Sequence, residues 1–410
     1  MVEPDLHAHS PGWVRPSSRN KISPPRHGLT RPERIWKGRA QQSIGVCAKG
    51  GTAADPFPLT ATARRVYAAR HVRHISSLCR LGFGAAARSR PVESLPASAW
   101  ALTPGSAGHE VQCIGVVRAL GLEPVVKRVA PSAPWSWMAP WGPAAPDPAI
   151  APPWPDLVVA SGRQAVPYAR AIRRRARGKT FVLVLQNPAI SLRHFDLVWV
   201  NDHDGVEGRN VIQSLTSPNT LTTAGLAAGA AALAARLAGR PLPRPWIGVV
   251  LGGASGAYRF EPADAATFGQ ALAALATTTG GSLIVTPSRR TGAAALAALG
   301  GALGQTPHWI WDGETGENPY FGILGAADAL VVTCDSVNML GEAAFTGKPL
   351  YAWRLEGGSA KFDAFHHGLQ ATGAMRWFDG GLAHWTYPPI DANSFIADAV
   401  RTAYAARRRR

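Results

Sequence analysis

The segment between Asp328 and Tyr351 constrains the fold of this chain more than any other. Leu330 to Thr333 form a short apolar run, which is typical of a strand buried on both faces of a parallel sheet. The run stops at Cys334-Asp335-Ser336, where Asp335 or Ser336 can cap a helix predicted over Val337 to Phe345. A strand that leads directly into a helix places the helix N-terminus at the carboxyl edge of the sheet.

The same segment continues into a complete strand–helix–strand unit. Gly347 is placed to end the helix, and Pro349 to restart an extended segment over Leu350 to Trp353. Unpaired backbone N–H groups at such a helix N-terminus can bind a phosphate. Glu342, six residues after Ser336, is placed to accept hydrogen bonds from a ribose diol. The alternative is a purely structural turn with a glutamate on its helix.

Other strands of this buried type alternate with helical segments along the chain. The sequence predicts strands at 99–102, 124–129, 156–161, 180–186, 195–201, 246–251, 282–286, 308–311, 330–333 and 350–353. An alanine-rich helix followed by prolines at 241, 243 and 245 predicts a joint between two domains. We therefore predict an α/β fold with two Rossmann-like domains.

Domain boundaries are placed where the composition changes. Residues 1–96 are predicted as a disordered, basic, proline-rich extension, because they lack the hydrophobic period that would let them bury enough surface to fold alone. The remaining predicted parts are a first domain (97–223), an interdomain helix and linker (224–243), a second domain (244–390), and a C-terminal helix with a basic tail (391–410).

The net charge of +17 is concentrated at the two ends of the chain. Residues 1–95 hold 16 lysines and arginines against 5 acidic residues, and Arg407 to Arg410 add four positive charges. This leaves a net charge of +2 on residues 96–406. A nucleic-acid-binding protein would carry its basic residues on the folded body, so we predict no nucleic-acid partner.

The four cysteines, at positions 47, 79, 113 and 334, have neither metal-ligand spacing nor the density of a disulfide framework. Reduced thiols and a cytoplasmic location are therefore predicted. No apolar run in the sequence approaches the roughly 20 residues of a membrane-spanning helix. Neither a metal nor a cofactor is predicted.

The loop after the first predicted strand contains Gly108, His109 and Glu110. An α/β domain admits ligands at a glycine-containing turn between its first strand and first helix, although the GxGxxG spacing of dinucleotide-binding proteins is absent here. An imidazole titrates near working pH, so His109 is a candidate general base. A helix-capping histidine without a catalytic part is the alternative.

Two features of the second half also follow predicted strands. Gly252 and Gly253 come directly after the first strand of that half and allow the backbone to approach a ligand closely. Arg289 follows the next strand, and its planar guanidinium suits a diphosphate. An ion pair within the fold is the alternative for this arginine.

The region from Pro131 to Pro155 has four tryptophans among its prolines and no regular period. Indole rings favour a membrane interface. The helix predicted to end near Arg177 carries a run of basic residues, so the two segments together predict a surface for an anionic membrane. Packing of the rings beneath the domain is the alternative.

Several passages resemble the mitochondrial-fission-type (Elm-like) glycosyltransferase family, whose glycosyltransferase B-type architecture has two facing Rossmann-like domains. The resemblance covers roughly residues 97–400, and its specific passages are Gly108–Gln112, Ser288–Thr291, Asn318–Tyr320 and Thr333–Glu342. The chain departs from the family pattern at Pro104 and Ser106, where members usually have an acidic and a basic residue.

The resemblance implies metal-independent transfer of a sugar from a nucleotide-sugar donor to a membrane-lipid or cell-surface glycan acceptor. It implies a protein peripheral at the inner face of the membrane, with His109 as the catalytic residue. Gly108, Glu110 and Arg163 would lie on the acceptor side. The donor would be bound by Gly252, Gly253, Ser255, Arg289, Asn318, Ser336, Asn338, Met339 and Glu342.

Two alternative functions remain open at this point. A nucleotide-sugar epimerase can use the same paired-domain fold, although the sequence shows no clear pair of acid and base carboxylates for it. The other is a non-catalytic, membrane-peripheral adaptor of the mitochondrial-fission type, in which the cleft would carry out no chemistry.

Overall fold

The structure, a computed structural model, describes residues 95–409. The predicted extension therefore lies almost entirely outside the described residues, as do Cys47 and Cys79. The strands of the first half are β1 (Ala99–Thr103), β2 (Val125–Arg128), β3 (Leu157–Ser161), β4 (Phe181–Leu185), β5 (Leu197–Asn201) and β6 (Val211–Ser214). Its helices are α1 (Ala107–Ala119), α2 (Trp135–Met138) and α3 (Ala165–Arg175), with short 3-10 turns at Leu192–His194 and Asp202–Asp204.

The second half contains the remaining elements. Its strands are β7 (Trp246–Leu251), β8 (Ser282–Pro287), β9 (His308–Ile310), β10 (Ala329–Thr333), β11 (Leu350–Trp353) and β12 (Met375–Trp377). The helices are α4 (Thr223–Leu237), α5 (Pro262–Thr279), α6 (Ala293–Leu303), α7 (Tyr320–Ala326), α8 (Val337–Ala344), α9 (Ala360–Ala371) and α10 (Ala392–Arg408).

The central strands of both sheets are apolar because helices cover both of their faces. Every residue of β1, β3 and β4 is buried in the first half, and every residue of β7 and β10 in the second. A strand covered on both sides needs an apolar residue at each position, so its sequence shows a continuous run and not an alternation. The α/β class predicted from these runs is confirmed.

Both sheets are parallel and doubly wound. The first has the strand order β2-β1-β3-β4-β5-β6, and the second β12-β11-β10-β7-β8-β9. When its strands are counted from β7, the second sheet has the Rossmann order 3-2-1-4-5-6. The order reverses between β1 and β3 in the first sheet and between β7 and β10 in the second. Ligands of open α/β sheets bind at such reversals, outside the carboxyl ends of the strands.

The two halves face each other through the loops at these carboxyl ends. Asp204, which follows β5, pairs with Lys361 of α9 at 3.0 Å. The His203 ring packs edge-on against Phe365 of α9, with 6.2 Å between the ring centroids. The predicted architecture of two facing Rossmann-like domains is thereby confirmed. Within residues 95–409, no helix combines the length and apolar character needed to cross a membrane.

A reciprocal amide pair fastens the joint between the halves. The Asn393 side-chain NH2 donates to the Asn219 carbonyl at 2.7 Å, and the Asn219 N–H donates to the Asn393 amide oxygen at 3.2 Å. Gly115 of α1 lies against this pair, because a Cβ there would be 1.7 Å from the Asn219 carbonyl oxygen. Beyond the joint, α10 returns to the first sheet, and the fully buried Ile396 and Val400 each contribute about 1.5–3 kcal/mol of burial free energy.

The helix α4, which the sequence places in the interdomain linker, packs into the second half. A Cβ on Gly322 of α7 would lie 2.7 Å from the Gly229 carbonyl oxygen of α4, so small residues let the two helices touch. Leu233 and Leu237 of α4 are buried with Trp246 at the start of β7. The passage between the halves therefore lies before α4.

Candidate functional site

The reversal point of the second sheet is closely packed around a buried carboxylate. The Gly252 N–H donates to Thr333 Oγ1 at 2.7 Å, and the Gly253 N–H donates to Asp335 Oδ2 at 3.0 Å. A Cβ on Gly252 would lie 2.1 Å from Asp335 Oδ1, which explains why glycine is needed there. Because both N–H groups are already paired, Gly252 and Gly253 can assist a ligand through close backbone approach but not as free donors.

An arginine lies over the crevice at this reversal point, next to the buried carboxylate. Arg290 Nη2 is 2.7 Å from Asp335 Oδ2, and Arg290 Nη1 donates to the Gly253 carbonyl at 3.1 Å. The Asp335 side chain is fully buried, whereas 38% of the Arg290 side chain remains exposed to solvent. The sequence pointed to Arg289, but that side chain is exposed and makes no hydrogen bond within residues 95–409. Arg290 is therefore the arginine that pairs with the buried carboxylate, and the predicted role of Arg289 in donor binding remains a prediction.

The helix α8 opens beside this crevice as the sequence predicts. Ser336 is the N-cap residue, and its Oγ accepts from the Met339 N–H at 3.3 Å. The N–H groups of Val337 and Asn338 make no hydrogen bond in the described part of the chain. Asn338 is exposed and Met339 is partly buried. This helix start therefore offers free backbone donors and the positive end of the helix dipole to an anion.

Glu342 lies farther along α8, and only one of its two carboxylate oxygens accepts a hydrogen bond. The Tyr320 hydroxyl donates to Glu342 Oε2 at 2.5 Å. Oε1 has no hydrogen-bond partner among residues 95–409. Burial raises the pKa of Glu342, and the hydrogen bond from Tyr320 acts in the opposite direction. A partly buried carboxylate with one unpaired oxygen suits a diol.

The Tyr320 contact is the part of this site that sequence reasoning missed. The sequence pointed to Asn318, whose Oδ1 accepts from the Tyr320 N–H at 3.0 Å and so shapes the turn before α7. Asn318 is exposed, whereas the Tyr320 side chain contacts Glu342. The Asn-Pro-Tyr passage was the available signal, but only the packing of α7 beside α8 shows which of its side chains reaches the carboxylate.

Two further polar residues of the second half have structural contacts. Ser255 Oγ accepts from the N–H groups of Ala257 and Tyr258 at 3.3 and 3.2 Å, which closes the loop after β7. Lys348 Nζ donates to the Leu324 carbonyl at 3.0 Å, so this ammonium caps the C-terminus of α7. The predicted role of Ser255 in donor binding remains a prediction.

The first sheet brings His109 to its own reversal point. His109 Nδ1 lies 2.8 Å from Oγ of the buried Ser161, the last residue of β3. Gly162 has φ +95°, and a Cβ there would lie 2.8 Å from Pro104 and 3.1 Å from the His109 ring. Burial lowers the pKa of His109 and thereby favours the neutral ring. The histidine therefore lies on the loop edge that faces the second half.

The His109–Ser161 contact also indicates where the imidazole proton lies. Ser161 Oγ makes no other hydrogen bond within residues 95–409, and a buried hydroxyl hydrogen without an acceptor is costly. The arrangement that satisfies both groups has Ser161 donating to Nδ1, which puts the ring proton on Nε2. In this tautomer His109 offers a donor to a ligand, and it can accept a proton only after its own has moved to Nδ1.

Two of the other residues predicted for the acceptor side, Glu110 and Arg163, make contacts within the fold. Both carboxylate oxygens of Glu110 accept from Arg128, at 2.7 and 2.9 Å. Arg163 Nε donates to the Ala139 carbonyl at 2.6 Å. Gly108 lies in the first turn of α1, and a Cβ there would have no neighbour within 4 Å. Their direct contact with an acceptor remains a prediction.

An amide pair that sequence reasoning did not select lies near this edge. Gln186 Nε2 donates to Oε1 of the buried Gln112 at 3.1 Å. Gln186 follows β4 and has φ +72°, a left-handed conformation that non-glycine residues rarely adopt. Nothing in a single sequence marks such a backbone conformation. Among residues 95–409, no group of three or more His, Cys, Asp or Glu side chains is arranged to hold a metal ion.

Comparison with known proteins gives the following similarities. The model of the family described as "Mitochondrial fission ELM1" matches residues 107–404. The mitochondrial fission protein ELM1 of Arabidopsis thaliana is 31% identical over an alignment of 278 residues, and this alignment covers 62% of this chain. The match spans 65% of the length of that relative.

Two solved structures also match over most of this chain. The UDP-GlcNAc 2-epimerase from Methanocaldococcus jannaschii has 11% identity and a TM-score of 0.48, over 74% of this chain and 98% of its own. MurG of Acinetobacter baumannii has 13% identity and a TM-score of 0.38, over 76% of this chain and 93% of its own. The family model, whose match extends from the start of α1 into α10 and so covers well over half of the chain, assigns the chain. This protein belongs to the mitochondrial fission ELM1 family.

Proposed function

We propose that this protein transfers a sugar from a nucleotide-sugar donor to an acceptor hydroxyl on a membrane lipid or a surface glycan. The observation that carries the proposal is the start of α8 at the reversal point of a Rossmann-ordered sheet. There, unpaired N–H groups at the helix start and the Arg290 guanidinium lie at the reversal point, and the Glu342 carboxylate, whose Oε1 has no partner among the described residues, lies in the second turn of the same helix. Such a combination suits a nucleoside diphosphate, whose ends are an anion and a ribose diol.

The positive groups at the crevice suit the charge that transfer would create. The reaction breaks the bond between the anomeric carbon and the diphosphate oxygen and forms a bond from that carbon to the acceptor oxygen. The acceptor hydroxyl gives up its proton to a base, such as the His109 ring when Nδ1 carries the ring proton. Negative charge then develops on the diphosphate. The helix dipole of α8 and the half-exposed Arg290 guanidinium would stabilise this charge without a metal.

His109 is the group that we place on the acceptor. It lies on the opposing carboxyl edge, and its Nε2 has no partner among the described residues and is not enclosed by them. In the tautomer favoured by Ser161, the ring orients an acceptor oxygen by donation from Nε2. Removal of the acceptor proton by the ring requires the tautomer to change first.

The proposal is tested with a panel of UDP-, GDP-, CMP- and dTDP-sugars. A donor present at 100 times its Kd stabilises the folded protein by about 2.7 kcal/mol, so melting temperature is a sensitive first readout. Calorimetry then gives the Kd for the wild type, Glu342→Ala and Glu123→Ala. Glu123 is an exposed carboxylate paired with Arg118 and serves as the matched control.

We expect one class of nucleotide sugar to bind the wild type and Glu123→Ala equally and Glu342→Ala more weakly. The absence of binding to every member of the panel would refute the proposal and favour the adaptor alternative. Interconversion of the sugar without an acceptor, followed by chromatography, would favour the epimerase alternative.

A further inference from the structure

An exposed apolar surface with arginines around it lies on the first half. Exposed large apolar side chains in the described part of the chain are few, and three of them fall within five residues. Trp137 is 75% exposed, Met138 38% and Trp141 65%. Exposing two indoles in one short segment is costly in water, so a cluster of this kind indicates a binding surface. We call Trp137, Met138 and Trp141 the tryptophan ridge.

The fold holds the tryptophan ridge in a fixed position. Arg163 donates to the carbonyls of Ala139 and Trp137 at 2.6 and 3.0 Å. Arg170 donates to the carbonyls of Trp141 and Gly142 at 3.1 and 2.5 Å. Two arginines of the α3 region are thus used to tie down backbone whose indoles point outward. The indole rings are therefore exposed although the backbone that carries them is held by hydrogen bonds.

The surroundings of the ridge are positively charged. Arg170, Arg173 and Arg193 lie close enough to His194 to lower its pKa, although burial is the larger cause. The nearby Asp196 is neutralised by Arg173 and Arg407. Along α3 the exposed Arg174 and Arg175 add further charge. This side of the first half therefore complements an anionic surface.

We propose that the tryptophan ridge docks on a bilayer that contains anionic lipids. The indoles would enter the headgroup region, as tryptophans at membrane interfaces do, and the arginines of α3 would face the lipid phosphates. A protein groove would satisfy the indoles equally well, but it would not need the basic side chains that α3 carries beside the ridge. Charge complementarity is therefore what selects the bilayer as the occupant.

The ridge borders the loop that positions His109. Arg163, which holds the ridge backbone, comes two residues after Ser161, whose hydroxyl contacts the His109 ring. Docking would thus bring the His109 edge next to the lipid surface, where a lipid-linked acceptor would lie. This last step rests on the proposed function, whereas docking itself does not.

The experiment is co-sedimentation of the full chain with vesicles. One set is phosphatidylcholine alone and the other is phosphatidylcholine mixed with phosphatidylglycerol. The test variant is Trp137→Ser with Trp141→Ser. The matched control is Val125→Ser, because Val125 is also a large apolar residue, 52% exposed, but lies on edge strand β2. Arg174→Ala with Arg175→Ala tests the charge.

We expect the wild type and Val125→Ser to bind the mixed vesicles and to bind neutral vesicles much more weakly. The double tryptophan variant should lose at least about tenfold in vesicle affinity, because each indole buries roughly 150–250 Å² when fully covered. The double arginine variant should bind more weakly and show a smaller dependence on salt. Unchanged melting temperatures would show that these exposed substitutions leave the fold intact.

Three results would overturn the proposal. Full binding by the double tryptophan variant would assign membrane contact to the basic ends of the chain. Absence of wild-type binding to either vesicle would exclude docking. A change from dimer to monomer in the double tryptophan variant, measured by analytical ultracentrifugation, would make the ridge an interface between copies of this chain. Nucleotide-sugar binding of the same variants is measured separately, so a failure of docking and a failure of the proposed function are distinguishable.

Discussion

Replacing Glu342 by glutamine separates the effect of this carboxylate on folding stability from its effect on nucleotide-sugar binding. The carboxylate is partly buried in α8 and one of its oxygens is bound by Tyr320. Its folded-state pKa lies above the ordinary value of 4.5 because burial disfavours the charged form. A group whose pKa rises on folding stabilises the protein below its unfolded pKa, and this contribution is lost as the pH rises through its folded pKa. The free energy of unfolding of the wild type should therefore fall as the pH rises from about 4.5 to the folded-state pKa of Glu342.

The substitution Glu342→Gln removes the titratable carboxyl group and keeps the size and shape of the side chain. We expect the variant to lack this pH-dependent loss, so that it equals or exceeds the wild type in melting temperature at pH 8. The same variant should bind the nucleotide sugar more weakly. A hydrogen bond to a charged group contributes about 1.5–3 kcal/mol, so complete loss of the diol contact in Glu342→Ala corresponds to about 10- to 150-fold in Kd.

The assay combines thermal unfolding across pH with calorimetric titration of the nucleotide sugar. Glu123→Gln is the control, since Glu123 is exposed and paired with Arg118 on the opposite half. Tyr320→Phe should increase the pH-dependent loss, because it removes the hydroxyl that partly offsets burial of the carboxylate. Equal nucleotide affinity in Glu342→Gln, Glu342→Ala and the wild type would refute the assignment of Glu342 to the ribose.

Two further predictions concern the first half of the chain. In histidine-selective 15N NMR, His109 should show its proton on Nε2, opposite to His308, whose Nδ1 must donate to the Thr306 carbonyl at 2.7 Å. Ser161→Ala should shift His109 toward a tautomer mixture, and a wild-type proton on Nδ1 would contradict our assignment. Gly115→Ala should destabilise the protein by about 3 kcal/mol or more in urea unfolding, because its Cβ would collide with backbone at the joint. Gly108→Ala has open space for a Cβ and should be neutral or stabilising by about 0.5–1 kcal/mol, so equal effects would refute the close-approach explanation.

The alternation of buried strands and helices could be predicted from the sequence because burial on both faces leaves a continuous apolar run. The run from Trp246 to Leu251 was predicted with the bounds that the structure shows. The short edge strands β6 and β12 were not predicted, although the edge strands β2 and β9 were; partial exposure weakens the apolar run at an edge. The helix α6 was also missed, because its alanines and glycines have little hydrophobic period.

The sequence by itself also determined the start of α8, since Ser336 is a local capping residue whose effect needs only the next three residues. The tertiary structure alone decided which charged side chains meet. Arg290 and not Arg289 lies over Asp335, and Tyr320 is the partner of Glu342. These contacts join residues far apart in the chain, and adjacent side chains on a loop point in different directions. Only the packing of strands and helices fixes which of them reaches the site.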